Sequence, residues 1–180
     1  MKKKTMMELH RISCEQFKHT RKIPLVVVLD DVRSLNNIGS IFRTSDAFVV
    51  ERIVLCGISA TPPHPDIHKT ALGAEDSVEW VYFGQVTDAI EQLRGEGYVV
   101  CSIEQVNGSV SLNDFTVEEG KRYAVVLGNE VKGVCQQVVD MSDYCLEIPQ
   151  YGTKHSLNVS ISAGIVIWHF FNKMALFTEL

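Results

Sequence analysis

What this chain has little of narrows its function before any motif is read. It lacks an excess of positive charge. Its 17 Lys and Arg stand against 22 Asp and Glu, a net charge of −5, which excludes a protein that coats nucleic acid through bulk charge and makes any contact with a polyanion local. It lacks paired cysteine motifs. Cys14, Cys56, Cys101, Cys135 and Cys145 form an odd set with no Cys-x-x-Cys spacing, and three of them lie in apolar runs where a thiol is a small core residue, so a reducing compartment is expected. It also lacks a long apolar run. Lys2 to Lys4 are followed by no signal-peptide core, and Ile165 to Phe171 is interrupted by His169 and too short to span a bilayer, so the expectation is a cytoplasmic protein without a membrane partner. No internal repeat, low-complexity tract or domain-separating linker is present.

What is present suits one α/β domain: 180 residues with 46% hydrophobic content can bury a substantial core. The charge is uneven. Met1 to Lys22 carry +5, leaving −10 for the remainder, so residues 1–23 read as a basic amino-terminal segment and 24–180 as the domain. That lead reads equally as an RNA-facing arm and as a solvated terminal helix.

Short β-branched runs alternate with helical patterns, the sign of a mostly parallel sheet with helices on its faces. Six strands are expected, at Leu25–Leu29, Arg52–Cys56, Glu79–Phe83, Tyr98–Ile103, Tyr123–Leu127 and Tyr144–Ile148. Asn36 or Asn37 can cap a helix carrying Ile41, Phe42, Ser45 and Phe48, and Ile90 and Leu93 mark another that stops at Gly95-Glu96-Gly97. Residues 57–76, with three prolines at Pro62, Pro63 and Pro65, read as a loop ending in a short helix. Ser156 to Met174 reads as a long buried helix, on its length and on the spacing of Leu157, Ile161, Ile165 and Trp168.

Three segments at strand ends combine glycine with polar residues, where ligands bind in open α/β sheets. In Asn37-Ile38-Gly39-Ser40-Ile41-Phe42-Arg43, Gly39 permits close approach of a backbone or a ligand. Arg43 lies about 240° round a helix from Asn37. A capping Asn with a surface Arg explains the segment as well as a phosphate clamp does. Gly128-Asn129-Glu130-Val131-Lys132-Gly133 makes a tight turn whose backbone could wrap an adenosine, but it lacks Walker spacing and by itself reads first as an ordinary turn. In Ile148-Pro149 through Ser156-Leu157-Asn158-Val159-Ser160, polar residues open an apolar helix. Capping accounts for one of them, so the functional reading leads. His64 and His68 stand at i, i+4, but Pro65 between them and the lack of a third ligand favour a loop, and no metal is expected.

In this order and spacing, the patterns Asn-x-Gly-x-x-x-Arg, Gly-x-Glu-x-x-Gly and Ile-Pro followed by Ser-Leu-Asn-Val-Ser resemble the SpoU (TrmH-like) family of the SPOUT class of RNA methyltransferases, from about Pro24 to Phe170. The resemblance implies a trefoil knot around residues 127–170, S-adenosylmethionine as cofactor, and a homodimer with its site near the subunit interface. It implies that Leu127, Gly128, Asn129, Ile148, Ser156 and Leu157 hold the cofactor, with Ser102, Ile103 and Glu104 closing the adenosine pocket. Arg43, Asn37, Glu130, Ser156 and Asn158 match the family's polar set, with Arg43 acting through an RNA phosphate, and His155 could join the site. The Ser-Leu-Asn-Val-Ser form favours a ribose 2′-hydroxyl as target. The alternatives are a catalytically silent RNA-binding or assembly protein on the same fold and a base methyltransferase of the same class. The family often carries an additional amino-terminal domain. Here about 23 residues precede the first strand, which leans the expectation toward tRNA over rRNA.

Overall fold

Leu25 to Leu29 are consecutive apolar residues, and such a run is buried throughout only in a sheet covered on both faces. All five have no exposed surface, and they form the centre of β1 (Ile23–Asp30). The computed structural model describes residues 1–5, 8 and 11–174; the end of the expected domain and part of the basic lead lie outside the described residues. After the short helix α1 (Cys14–His19) and β1, the chain runs through α2 (Leu35–Ala47), β2 (Val50–Cys56), α3 (Pro65–Ala71), α4 (Ala74–Ser77) and β3 (Glu79–Phe83). It continues through α5 (Val86–Gly95), β4 (Tyr98–Ile103), β5 (Val110–Ser111), β6 (Arg122–Leu127), α6 (Gln136–Met141), β7 (Tyr144–Glu147) and α7 (Val159–Met174).

The strands form one sheet in the order β3-β2-β1-β6-β4-β7-β5, and every neighbouring pair is parallel. Alternate residues divide between two cores. Leu25, Val27, Leu29, Tyr123 and Val125 pack with α2, α3 and α7, while Val26, Val28, Ala124 and Val126 pack with α5 and α6. Because all strands run the same way, the segments that follow β1, β4, β6 and β7 leave one edge of the sheet. There β6 lies between β1 and β4, and the order of the chain reverses, which opens the crevice.

The sheet has seven strands rather than six. The additional β5 is a two-residue edge piece that pairs Val110 with Leu146 and Ser111 with Glu147, too short to show a period in sequence. Ser34, not Asn36 or Asn37, caps α2, its Oγ accepting from the Asn37 amide at 3.3 Å. The last helix also departs from expectation. It begins at Val159, so Ser156 precedes it, and it buries Val159, Ala163, Val166, Ile167, Phe170 and Met174. Leu157, Ile161, Ile165 and Trp168, whose spacing marked the helix expected to be buried, are 38%, 56%, 38% and 52% exposed. Among the described residues no helix is long and apolar enough to cross a membrane.

Candidate active site

Four segments converge at the carboxyl edge of the sheet, and the one after β6 is built most tightly. The amide of Asn129 donates to the Gly133 carbonyl at 3.0 Å, and the Gly133 amide returns to the Asn129 carbonyl at 2.8 Å. Asn129 Oδ1 accepts from the amides of Val131 and Lys132 at 2.9 and 3.1 Å. A Cβ on Gly128 would lie 2.1 Å from the Gly133 carbonyl carbon, and Gly133 itself has φ +69°. Both glycines are therefore demanded by the closure of this loop.

The loop is tied to its surroundings by charge and amide contacts. Asn129 Nδ2 donates to the Asp31 carbonyl at 2.8 Å. Two carboxylates meet consecutive amides just before α6: Glu104 Oε2 accepts from Val134 at 3.0 Å, and Asp30 Oδ2 from Cys135 at 3.1 Å. Asp30 is 4% exposed. Burial pushes its carboxyl above the ordinary range and nearby Asp31 adds to the rise, while the Cys135 amide opposes it.

Glu130 joins the three sequence motifs. Its Oε2 accepts from the Arg33 amide, and its Oε1 from the Ser34 amide and from Asn37 Nδ2, each at 3.0 Å. Partial burial works to raise its pKa, but these donors outweigh it and hold the carboxyl below the ordinary range. Asn37 Oδ1 in turn accepts from Asn158 Nδ2 at 3.2 Å. Asn158 Oδ1 then accepts from the amide and hydroxyl of Ser160 at 2.9 and 2.6 Å, which secures the entry to α7.

Beside this chain of hydrogen bonds lies a cavity of about 490 Å³. Ile103, Glu104, Leu127, Gly128, Asn129, Glu130, Ile148, Ser156 and Leu157 all line it, together with Gln105, Val134, Gln150 and His155. Asn37 and Asn158 do not line it and reach it through Glu130, and two further expected site residues stand apart. Ser102 has no exposed surface and does not line the cavity; its hydroxyl lies 2.7 Å from that of Ser142. Arg43 is exposed on α2 and, among the described residues, its side chain makes no hydrogen bond or ion pair. Gly39 serves packing, since a Cβ there would meet the Ile67 carbonyl of α3 at 2.3 Å. The His64 and His68 pair is used locally: His64 Nδ1 accepts from the Asp66 amide at the start of α3, and His68 Nδ1 lies 2.6 Å from Glu75 Oε1.

Sequence reasoning passed over Asp30, Asp31 and Gln105. Acids that close the apolar run of β1 were the available signal, because a carboxylate at the end of a buried strand needs a donor nearby. Gln105 offered none, and it reaches the His155 carbonyl at 3.0 Å across the mouth of the cavity.

This architecture has known counterparts. A model of the SpoU rRNA Methylase family matches residues 24–168. A TrmH family tRNA/rRNA methyltransferase of Staphylococcus aureus (strain MSSA476) is 28% identical over 159 residues, 88% of this chain and 63% of that protein. The chain thus spans less than two thirds of that relative. The AdoMet-bound rRNA methyltransferase from Sinorhizobium meliloti superimposes with a TM-score of 0.78 at 25% identity, covering 87% of this chain and 59% of that one. The SpoU methyltransferase AviRb from Streptomyces viridochromogenes gives 0.75 at 25% identity, over 87% and 62%. With the family model spanning most of the sheet and both loops that carry the joined motifs, the chain belongs to the SpoU rRNA Methylase family.

Proposed function

We propose that this chain is an S-adenosylmethionine-dependent RNA methyltransferase that modifies a ribose 2′-hydroxyl, with tRNA as the first substrate to test and rRNA as the second. One observation carries the reading: the hydrogen-bonded chain Glu130–Asn37–Asn158 gathers three distant motifs beside a cavity sized for a small molecule.

The cavity's chemistry fits the cofactor. Ile103, Leu127, Ile148 and Leu157 offer apolar surface to an adenine, and Glu104 and Glu130 bring negative charge to a site that would hold a sulfonium. When bound, S-adenosylmethionine supplies an electrophilic methyl group. The closed loop from Gly128 to Gly133 and the residues Ser156 and Leu157 all contribute to the cavity's lining. Glu130 keeps Asn37 oriented, and Asn37 positions Asn158 at the entry of α7. These residues would contribute by orienting the substrate hydroxyl, and positioning of this kind lowers a barrier by up to roughly 7–11 kcal/mol. Arg43, whose guanidinium is a fork of donors with no acceptor, serves as a clamp for the RNA phosphate rather than as a base.

Because Arg43 stands away from the cavity of its own chain, we read the active unit as a homodimer in which it reaches the partner's site. The exposed face of α7, with Ile161, Ile165 and Trp168, supports that reading as the surface a second copy would cover. We also read residues 24–180 as the catalytic domain, working in the cytoplasm behind a basic segment 1–23, with the loops at 128–135 and 148–158 belonging to a trefoil knot over about residues 127–170.

Two measurements test the assignment. Calorimetry with S-adenosylmethionine should give saturable heat, and mapping of 2′-O-methyl sites in tRNA and rRNA from cells with and without the gene should lose at least one site. No heat at millimolar cofactor removes the enzyme reading, whereas a missing base methylation would move the target off the ribose.

A further inference from the structure

Apart from the terminal Met1, the two most exposed large hydrophobic residues among the described residues are Tyr151, at 97%, and Val131, at 79%. They occupy the two loops that border the cavity. Tyr151 stands between Gln150 and His155, both of which line it, yet Tyr151 does not. Its ring therefore belongs to the rim, outside the space assigned to the cofactor. The loop is restrained nearby, since the Gln105 side chain donates to the His155 carbonyl at 3.0 Å. Val131 is restrained by the Asn129 side chain, at 2.9 Å from its amide. Each loop also carries an exposed lysine, Lys154 outside the cavity or Lys132 at its lining, that makes no ion pair among the described residues, although Lys69 and Lys121 elsewhere both do.

An exposed aromatic ring on a loop that also carries an unpaired cation, with a second such cation on the other loop at the cavity, matches one ligand chemistry well. A single-stranded nucleic acid offers a base face to stack and a phosphate to pair, and proteins read unstacked bases in this way. A second copy of the chain fits less well, because lysine is depleted from protein interfaces and α7 already presents an apolar face. Building on the proposed RNA methyltransferase activity, we propose that Tyr151 is a substrate-recognition residue that stacks on an RNA base adjoining the reacting nucleotide, with Lys132 and Lys154 meeting the flanking phosphates.

The test uses the full chain with total tRNA and total rRNA from cells lacking the gene, reading RNA affinity by filter retention, methyl transfer in a single turnover, cofactor affinity by calorimetry and oligomeric state by sedimentation. Tyr151→Ala should weaken affinity for the substrate RNA by about 5- to 150-fold, the loss of one base–aromatic stack, with cofactor affinity and sedimentation unchanged. Tyr151→Phe should restore it and Tyr151→Leu should not, because stacking needs the π face and not merely apolar bulk. Wild-type RNA affinity in Tyr151→Ala, equal rescue by Leu and Phe, or a shift in oligomeric state instead of RNA affinity would each overturn the proposal. The two readings fail separately. A protein that binds RNA through Tyr151 but transfers no methyl group loses the methyltransferase assignment and keeps the stack, whereas one that methylates RNA with no dependence on Tyr151 does the reverse.

Discussion

Asn158 donates its side-chain amide to Asn37 Oδ1 at 3.2 Å, joining the entry of α7 to the first turn of α2. Since Asn37 spends its own amide on Glu130, one carboxylate orients both asparagines. Disturbing any member should be felt by the other two.

Glu130→Gln should lower stability at neutral pH by about 1 kcal/mol, because one of the two oxygens facing the Arg33 and Ser34 amides becomes a donor; the exposure of Glu130 keeps the figure at the low end of the range for charged hydrogen bonds. The Glu130 carboxyl is held below its ordinary pKa. Its contribution is therefore present above the unfolded value of about 4.3 and is lost as pH falls through the lower folded value. Urea midpoints measured down to acid pH should converge for the two proteins. A gap that persists at the acid end would mean that the charge of Glu130 is not what matters.

Asp30 should show the opposite sign. Burial raises its pKa, so the native state holds its proton more tightly than the unfolded chain does. Stability is then lost as pH rises from the unfolded value of about 3.9 up to the raised folded value. Asp30→Asn keeps an oxygen for the Cys135 amide and removes the buried charge. It should unfold at a higher urea concentration than wild type at neutral pH, with a flatter pH dependence; a less stable variant would show that the charge on Asp30 is a net asset.

Two glycines in motifs should separate by readout. Gly39→Ala forces its Cβ toward the Ile67 carbonyl and should cost about 1–3 kcal/mol of stability while leaving cofactor affinity intact. Gly128→Ala pushes on the Gly133 backbone and should lower cofactor affinity at least tenfold by opening the loop. Equal cofactor affinities in the two variants would detach the loop from the binding site.

The basic lead divides into structural and exposed cations. Lys22 donates to the carbonyls of Phe17 and, at 3.0 Å, Thr20, and it lies 3.9 Å from the Phe17 ring centroid. Lys22→Ala should therefore cost about 1 kcal/mol of stability. Lys18 and Arg21 are exposed. If they meet RNA, neutralising each should reduce the logarithmic salt slope of binding by about 0.7–0.9. A slope unchanged in the double variant would make the lead a solvated helix.

Arg43→Ala should reduce turnover by orders of magnitude with cofactor affinity nearly unchanged, as for an interaction realised in the transition state. Mixing it with the Gly128→Ala protein should restore part of the activity if each site is completed by the partner. Trp168→Asp should abolish that rescue by placing a charge on the exposed face of α7, and sedimentation should then report monomers. Rescue that survives this change would put the dimer contact elsewhere.

The sequence by itself determined the strands whose residues are buried on both faces. Runs such as Val26-Val27-Val28 can be satisfied only inside a covered sheet, so they are legible without neighbours. The glycine positions of the Gly128–Gly133 loop were legible for a similar local reason. Tertiary structure alone decided three things. Pairing of Asn37 with Glu130 and Asn158 spans 93 and 121 positions and follows from β1 lying beside β6 in parallel register and from α7 packing on α2, which no local pattern encodes. The two residues of β5 become a strand only because β7 offers an edge. In α7 apolar residues surround the helix, so a 3.6-residue period could not choose its buried face; packing of Ala163, Val166 and Phe170 in the core chose it, and turned Ile161, Ile165 and Trp168 outward.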